Sequence, residues 1–333
     1  MLKLKKSELI NLKEKFVGRK IAVIGDMMLD SYLWGDVKRI SPEAPVPVIE
    51  IDDEFYRFGG AANVALNIQK LGGNPVPIGI IGYDNEGSIF SGLMEEAGLS
   101  SEGILLDDER PTTAKTRVIA GKQHIVRIDR ESKNYVNPKV EEKILSLLKK
   151  KSDGLDAIIL QDYNKGVLSP SLIGKIIELA NSNSITVTVD PKFDNFFEYK
   201  NVTVFKPNRK ETADILGMRL DNDDEIENAG RKLLNKLNSK YVLITLGEAG
   251  IALFEKGETT KRIPTKAVKV SDVSGAGDTV ISTLTIALAA GADIESASYL
   301  ANYAGGIVCG EIGIVPIETE ILFNKIFSEM DEE

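Results

Sequence analysis

Apolar positions along this chain keep two periods. Near the start, Leu9, Leu12 and Phe16 recur at helical spacing within a charged segment that Gly18 closes, so an amphipathic helix is expected ahead of the first strand. Lys20 to Ile24 is a compact apolar strand delivering Gly25 and Asp26 at its end, with Asp30 four residues on. Helix and strand patterns then alternate. Ala61 to Leu71 reads as a helix stopped by Gly72 and Gly73, Val76 to Ile81 as a strand, and a further helix runs through Ala97. Helix Pro138 to Lys150, strand Ala157 to Leu160, helix Ser171 to Asn181 and strands Ile185 to Val189 and Val202 to Phe205 follow. Such alternation predicts an α/β fold, a doubly wound, mostly parallel sheet flanked by helices.

Two regions break that rhythm. From Tyr32 to Phe58, Pro42, Pro45 and Pro47 punctuate a segment in which Ile49 and Ile51 alternate with charged neighbours, which predicts edge strands. Thr113 to Ile119 and Gln123 to Asp129 flank Ala120-Gly121-Lys122 and predict a hairpin. The expected organisation is one domain over residues 1–333 with a small discontinuous β-sheet from about 32–58 and 112–130, since no repeat, low-complexity tract or Gly/Ser linker divides the chain.

Chemistry gathers at strand ends. Val270-Ser271-Asp272-Val273-Ser274-Gly275-Ala276-Gly277-Asp278-Thr279 reads as a strand end, a glycine turn and a helix whose apolar positions Val280, Leu284, Ala287 and Leu288 run to Gly291. First-turn amides of such a helix have no intrahelical partner and attract a phosphate or a developing anion. Gly275 and Gly277 let the backbone approach closely, and Asp278 sits where a carboxylate can take a hydroxyl proton, although a plain capped helix has the same spelling. Asp26 and Asp30 are placed to bind hydroxyls or to form a solvated turn. In Lys206-Pro207-Asn208-Arg209-Lys210-Glu211, a carboxylate near a helix start can hold magnesium directly or through water while the Asn208 amide reaches a phosphate. The same spacing spells a capping box. No Gly-x-x-x-x-Gly-Lys-[Ser/Thr] is present, and no Gly-x-Gly-x-x-Gly follows the first strand, so the P-loop route is closed and dinucleotide binding is weakened at its usual place.

Composition narrows the classes. Of 333 residues 43% are hydrophobic and 27% charged, ordinary for a folded globular protein. A net charge of -9 argues against a general nucleic-acid or anionic-membrane partner. One cysteine, Cys309, excludes an intrachain disulfide, and one histidine, His124, leaves no Cys/His metal site. No apolar run reaches transmembrane length and the start does not read as a signal peptide, so a cytoplasmic location is expected.

Gly59-Gly60-Ala61-Ala62-Asn63-Val64-Ala65, running to Leu71-Gly72, together with the Gly275 turn much later in the chain, resembles the paired signatures of the ribokinase-like (PfkB) carbohydrate kinases. That resemblance implies a ribokinase-like fold, ATP and Mg2+ as cofactors, and room for a monovalent cation. It places Asp26, Asp30, Gly59, Gly60, Asn63 and Asp162 beside the sugar, and Asp278 as base with an anion hole at Gly275, Ala276 and Gly277. The small sheet becomes a lid over the sugar and often a homodimer contact. Gln161-Asp162-Tyr163-Asn164-Lys165-Gly166 is similar to the family's Asp-Tyr-x-Lys-Gly turn, and Asp190-Pro191-Lys192 to its Asp-Pro-Lys; either also suits a polar loop. Asn208, Arg209, Lys210 and Glu211 match the motif that helps hold ATP and magnesium, and Thr245, Gly247 and Gly250 the loop bordering the nucleotide. Asn302, on a helix from Ile294 to Cys309, matches a position near adenine or is an exposed helical amide. Ser274 stands where Thr is more usual, which keeps the hydroxyl.

Arg39-Ile40-Ser41-Pro42-Glu43-Ala44-Pro45-Val46-Pro47-Val48, with Gly25-Asp26 and Met28-Leu29-Asp30, closely resembles one branch, the D-glycero-D-manno-heptose 7-phosphate kinases of bacterial ADP-heptose synthesis. The implied reaction is ATP-dependent phosphorylation of D-glycero-β-D-manno-heptose 7-phosphate at C1, feeding lipopolysaccharide core synthesis. Another ribokinase-like kinase, for fructose, fructose phosphate, ribose or a nucleoside, is the alternative, and a non-catalytic sugar or nucleotide sensor of the same fold a further one. Some heptose kinases carry a fused nucleotidyltransferase; this chain ends just past the kinase part, so the kinase step alone is expected. The hairpin's Lys115, Arg117 and Arg127 either hold the sugar's phosphate or form a solvated charged face, with Lys115, Arg117 and Ile119 sharing one side by the period of two.

Overall fold

The computed structural model describes residues 4–121, 123–265, 274–311, 313 and 315–332. Helix α1 (Lys6–Phe16) leads into β1 (Lys20–Gly25), then the long strands β2 (Met27–Ile40) and β3 (Pro47–Gly59). Helix α2 (Gly60–Lys70), β4 (Asn74–Gly82), α3 (Asn85–Glu96) and β5 (Ile104–Asp107) precede the hairpin β6 (Thr113–Ala120) and β7 (Gln123–Arg130). Next come α4 (Pro138–Lys151), β8 (Ala157–Gln161), α5 (Pro170–Ser182), β9 (Thr186–Asp190), β10 (Val204–Phe205), α6 (Arg209–Leu216) and α7 (Asp223–Leu237). The chain closes with β11 (Tyr241–Thr245), β12 (Ile251–Glu255), β13 (Lys261–Ile263), α8 (Ala276–Ala289), α9 (Ile294–Val308) and α10 (Thr319–Glu332).

The large sheet has the order β13-β12-β11-β10-β9-β8-β1-β4-β5. It is parallel from β5 to β11, and β12 and β13 continue it antiparallel. Side chains alternate across it. In β1, Ile21 and Val23 join a core with α1, α2, α8, α9 and α10, whereas Ala22 and Ile24 join a second core with α4, α5 and α7. Central strands covered on both faces need apolar residues at every position, which is why β1 and β8 read as continuous apolar runs. Helices α4 and α5 begin alike. Asn137 and Ser169 accept the amides of Val140 and Leu172, and Pro138 and Pro170 occupy first-turn positions where a missing N–H costs nothing.

A second sheet, β3-β2-β6-β7, stands apart. Strands β1 and β2 are separated by Asp26 alone, so the chain passes from one sheet to the other at a single residue. On one face of the small sheet, Asp30 is flanked by Arg57 and Lys115, and Tyr32 by Phe55 and Arg117.

The alternation expected from sequence is present, with limits. Of Val202 to Phe205 only Val204 and Phe205 form a strand; the helix start expected at Asn208 is α6, whereas β5, β12, β13, α7 and α10 were not anticipated as elements. The antiparallel edge is short and strands β5 and β13 are only partly buried, so the periodic signal there is weak. The expected strand end at Val270, Ser271, Asp272 and Val273, and the turn residue Lys122, lie outside the described residues. No helix among the described residues is long and apolar enough to cross a membrane.

Candidate active site

The carboxyl ends of β8, β9, β10 and β11 converge on the head of α8, where α/β sheets gather ligands. Gly275 supplies the turn with φ +79°, a conformation that costs other residues a Cβ clash, and α8 starts at Ala276. From Asp278 to Ala287 every residue of α8 is buried, whereas Ala276 is half-buried and Gly277 exposed, so the first-turn amides open onto the cleft while the rest of the helix anchors in the core. Asp278 is 3% exposed. Its Oδ2 accepts from Asn63 Nδ2 at 2.7 Å, and its Oδ1 from the Tyr163 hydroxyl at 2.8 Å and Gln161 Nε2 at 3.1 Å. Burial, and then the neighbouring Asp190 charge, push its pKa up to about 6, while the donors from Asn63 and Tyr163 and the charge of Lys206 hold it down. A carboxylate poised there is a competent base near neutrality.

Gln161 also donates to Asp190 Oδ2 at 3.2 Å, and Lys206 Nζ lies 3.2 Å from Asp190 Oδ1. Base, bridging amide, second carboxylate and ammonium therefore form one buried chain. It borders a cleft of about 540 Å3 whose walls include Gly275, Gly277, Lys192, Asn208, Arg209 and Thr245. Lysines and the α8 amides around one cleft fit a polyphosphate. Among the described residues no group of three His, Cys, Asp or Glu could hold a metal by itself. A divalent ion there would rely on phosphate oxygens, as magnesium at a nucleotide ordinarily does.

On the nucleotide side, Asn208 and Glu211 make both halves of a capping box: Asn208 Oδ1 accepts from Glu211 N at 2.8 Å and Glu211 Oε2 from Asn208 N at 2.9 Å. The other Glu211 oxygen pairs with Lys192. Burial works against the Lys192 charge, but Asp190 and Glu211 outweigh it and raise its pKa. The capping-box reading of this motif is met, and the other Glu211 oxygen is taken by Lys192, which lines the cleft, so these contacts show Glu211 holding a lysine and not a metal. Arg209 donates to the Leu220 carbonyl, and Lys210 pairs with Asp214 on an exposed turn. Gly247 lines the cleft, and Gly250 closes the short 3-10 turn Gly247–Ala249. Asn302 is buried, not an exposed amide, and donates to the Pro264 carbonyl at 2.9 Å.

On the opposite side the first glycine signature abuts the small sheet, expected to be a lid. A Cβ on Gly60, at φ +57°, would lie 2.3 Å from the Asp26 carbonyl, and one on Gly59 would lie 2.6 Å from Asp30 Oδ2. Asn63, one turn into α2, ties this signature to Asp278. Asp30 is buried and paired with Arg117 Nη1 at 2.5 Å, and Lys115 Nζ stands 5.4 Å from the Tyr163 ring centre. These residues face the site. Three others expected beside the sugar are engaged elsewhere. Asp26 spends its oxygens on the amides of Tyr163, Lys165 and Val167, and Asp162 on Asn164 N, the Tyr199 hydroxyl and Asn195. Both carboxylates anchor the loop carrying Tyr163, because a buried charge must find donors and backbone amides are the nearest. Arg127 is largely exposed and forms a bidentate pair with Asp129.

Four residues at the centre, Gln161, Tyr163, Asp190 and Lys206, were visible in the sequence only as members of loops. Each is a polar residue at or just after an apolar strand, and that position at a sheet's carboxyl edge was the available signal. Arg57, stacked near Tyr32 and Phe55 on the site-facing side of the lid, was also missed.

A buried base at a helix head beside a cationic, glycine-lined cleft, with a second β-sheet opposite, defines a phosphotransferase that acts on a hydroxyl. The profile of the pfkB family carbohydrate kinases matches residues 19–320, and the chain belongs to that family of ATP-dependent sugar kinases. It is 41% identical over 303 residues to the "Bifunctional protein HldE" of Desulfatibacillum aliphaticivorans, covering 91% of this chain and 62% of that one. The Helicobacter pylori protein of the same name is 41% identical over 295 residues, covering 89% and 64%. The chain spans about three fifths of the length of these curated relatives. Among solved structures, Arabidopsis thaliana ribokinase complexed with ribose and ATP superposes with a TM-score of 0.74 at 20% identity, covering 93% of this chain and 99% of that one. Escherichia coli phosphofructokinase-2 with substrates and products gives 0.74 at 18%, covering 95% and 100%; these two show the fold.

Proposed function

We propose that the protein transfers the γ-phosphoryl group of ATP to the C1 hydroxyl of D-glycero-β-D-manno-heptose 7-phosphate, giving the 1,7-bisphosphate and ADP. The observation that carries the transfer is the buried Asp278 carboxylate, with a pKa near 6, bordering one cleft with the α8 amides and with Lys192 and Lys206. Asp278 takes the proton from the attacking hydroxyl while the amides of Ala276, Gly277 and Asp278 receive the charge on the moving phosphoryl group. Lys192 and Lys206 hold the polyphosphate, and Asn208 steadies α6 beneath it. Magnesium supplies neutralisation of the β- and γ-phosphate charge when bound with the nucleotide. Glu211 orders that side through Lys192, so Glu211→Gln should raise the magnesium concentration needed for half-maximal rate; an unchanged titration would reduce Glu211 to a helix cap. A monovalent-cation requirement belongs to the same reading and is tested by replacing potassium with tetramethylammonium.

The choice of sugar rests on the likeness of segments 25–30 and 39–48 to the heptose branch, supported by the lid. Its site-facing side carries Arg57, Lys115, Arg117 and Arg127 against the carboxylates of Asp30 and Asp129, an excess of cations in an acidic protein. A dianionic phosphate at the far end of a sugar needs such a surface. The other side of the lid exposes Val126 and Ile128, which supports a homodimer through the lid, and sedimentation equilibrium finding a monomer would remove it. A cytoplasmic location is part of the proposal. An ADP-release screen over sugars and sugar phosphates tests the whole, with heptose 7-phosphate expected to turn over best. A better unphosphorylated substrate overturns the heptose assignment alone, and no turnover with any acceptor returns the protein to a sensor.

A further inference from the structure

Tyr163 lies where the base, the lid and the nucleotide-side wall meet. Its hydroxyl donates to Asp278 Oδ1 at 2.8 Å. Lys115 Nζ, from the lid, stands 5.4 Å from its ring centre, and Lys192 Nζ, from the cleft wall, 5.3 Å, both within range of attraction to an aromatic face. The loop beneath is pinned. Tyr163 N donates to Asp26 Oδ2 at 2.8 Å, Lys165 N to the same oxygen at 3.1 Å, and Asn164 N to Asp162 at 2.8 Å. Two buried carboxylates therefore serve to fix the place of one tyrosine, which is a large outlay of polar groups for a loop without a task.

We propose that Tyr163 is a positioning residue for phosphoryl transfer: its hydroxyl fixes the plane of the Asp278 carboxylate, and its ring couples Lys115 of the lid and Lys192 of the nucleotide side to that base. This rests on the reading of Asp278 as the general base. A carboxylate held by Asn63 on one oxygen and by Tyr163 and Gln161 on the other cannot rotate away from an incoming hydroxyl. Without the phenol, Oδ1 keeps only Gln161, whose amide is shared with Asp190. The phenol stays protonated at working pH, since burial and the charges of Asp278 and Asp190 raise its pKa well above the ordinary value. It is a donor and not itself a base. Asp190, Lys206 and Lys192 also act on Asp278 or face it across the cleft, and Asp30 and Lys115 act on Tyr163 from the lid; all remain when the hydroxyl alone is removed.

The test measures initial rates of ADP release by the full chain with heptose 7-phosphate and ATP across the acid limb, for Tyr163→Phe and Tyr163→Leu. The Phe variant keeps the ring and should lose roughly 10- to 100-fold in kcat from misplacement of the base, with both KM values unmoved. Its acid limb should move to higher pH, because a donor to the charged carboxylate is gone. The Leu variant should add a several-fold rise in both KM values, since both lysines lose their shared ring. A Phe variant with wild-type kcat and an unmoved acid limb overturns the inference, as does one whose KM values rise as much as those of Leu; should Leu fail to fold, the kcat and pH profile of Phe decide alone. Asp278→Asn run in parallel separates the two claims: near-normal turnover there removes the base itself, whereas an inactive Asp278→Asn beside a silent Tyr163→Phe removes only the role of Tyr163.

Discussion

Asp26, between β1 and β2, and Asp278, in the first turn of α8, are both buried, and both have a pKa pushed up to about 6 chiefly by that burial. They differ in who donates to them. Asp26 is held by three backbone amides of one loop, whereas Asp278 is held by three side chains from α2, β8 and the loop after β8. Backbone donors cannot turn aside without unmaking the loop. Three side-chain donors fix the Asp278 carboxylate and leave one of its acceptor sites for a substrate hydroxyl, and of the two aspartates only Asp278 borders the cleft. Burial and a raised pKa mark both aspartates as unusual; the type of donor and the open neighbour separate the working group from the scaffold.

The comparison is broken most directly at Asp278. Asp278→Asn keeps the shape but removes the base, so kcat should fall by roughly 10²- to 10⁴-fold with ATP binding little changed. In the wild type, kcat/KM should drop as pH falls through about 6, because the carboxylate must be ionised to accept a proton. Near-normal turnover in the variant, or a rate flat across that range, would sink the mechanism. The same shifts carry a stability sign. Each folded-state pKa lies above the ordinary 3.8, so folding takes up protons between the two values. The stability these groups contribute is complete below that window and is lost as pH rises through about 6.

Asp26→Asn should act on the fold first. One neutral oxygen cannot accept what two charged ones do, and leaving a buried amide unpaired costs about 1 to 3 kcal/mol, which thermal or urea unfolding would read. Activity should fall less than in Asp278→Asn. An Asp26→Asn protein that melts like the wild type yet is equally inactive would mean that Asp26 works on substrate after all.

That contrast also explains what the sequence could tell. The parallel sheet was legible because β1, β4, β8 and β9 are buried on both faces and flanked by helices with strong 3.6-residue patterns. The second, small sheet was legible from prolines and alternation. Asp278 and Asn63 were singled out because the two glycine-rich stretches together resemble the paired signatures of the family, each stretch alone being an ordinary spelling. Asp26 and Asp162 looked the same as sugar ligands, since a strand-end aspartate is written identically whether it faces a cleft or its own loop. Gln161 and Tyr163, Asp190, and Lys206 come from three separate segments joined at Asp278 on a fourth, and such a junction leaves no spacing to read.

Arg117 brings the comparison to the lid. It pairs with buried Asp30 and stacks over Tyr32 at 5.1 Å, on the side facing the site. Asp30 more than offsets the cost of burying the Arg117 charge, so it stays a cation that a phosphate can reach. Arg117→Ala should raise KM for the sugar phosphate by about 1.5 to 3 kcal/mol, the worth of a charged hydrogen bond, and leave KM for ATP in place. An equal rise for both substrates would mark a disturbed lid and not a lost contact.

Arg127 should show the smallest effect. It sits opposite Arg117 in the β6–β7 register, so by sequence the two arginines are equivalent candidates for the phosphate. The structure separates them by exposure: the Arg117 side chain is 18% accessible and the Arg127 side chain 59%. A solvated arginine paired with a neighbouring aspartate contributes about 0 to 1 kcal/mol, and Asp129 already occupies both arms of its fork. Arg127→Ala should therefore change KM for the sugar phosphate by less than about two-fold at ordinary salt, where exposed charges are screened. A rise matching that of Arg117→Ala would show that the lid turns its outer strand inward when substrate binds, exchanging Asp129 for the phosphate. Asp129→Asn would then release Arg127 and lower that KM, a change opposite in sign to any general loss of lid structure.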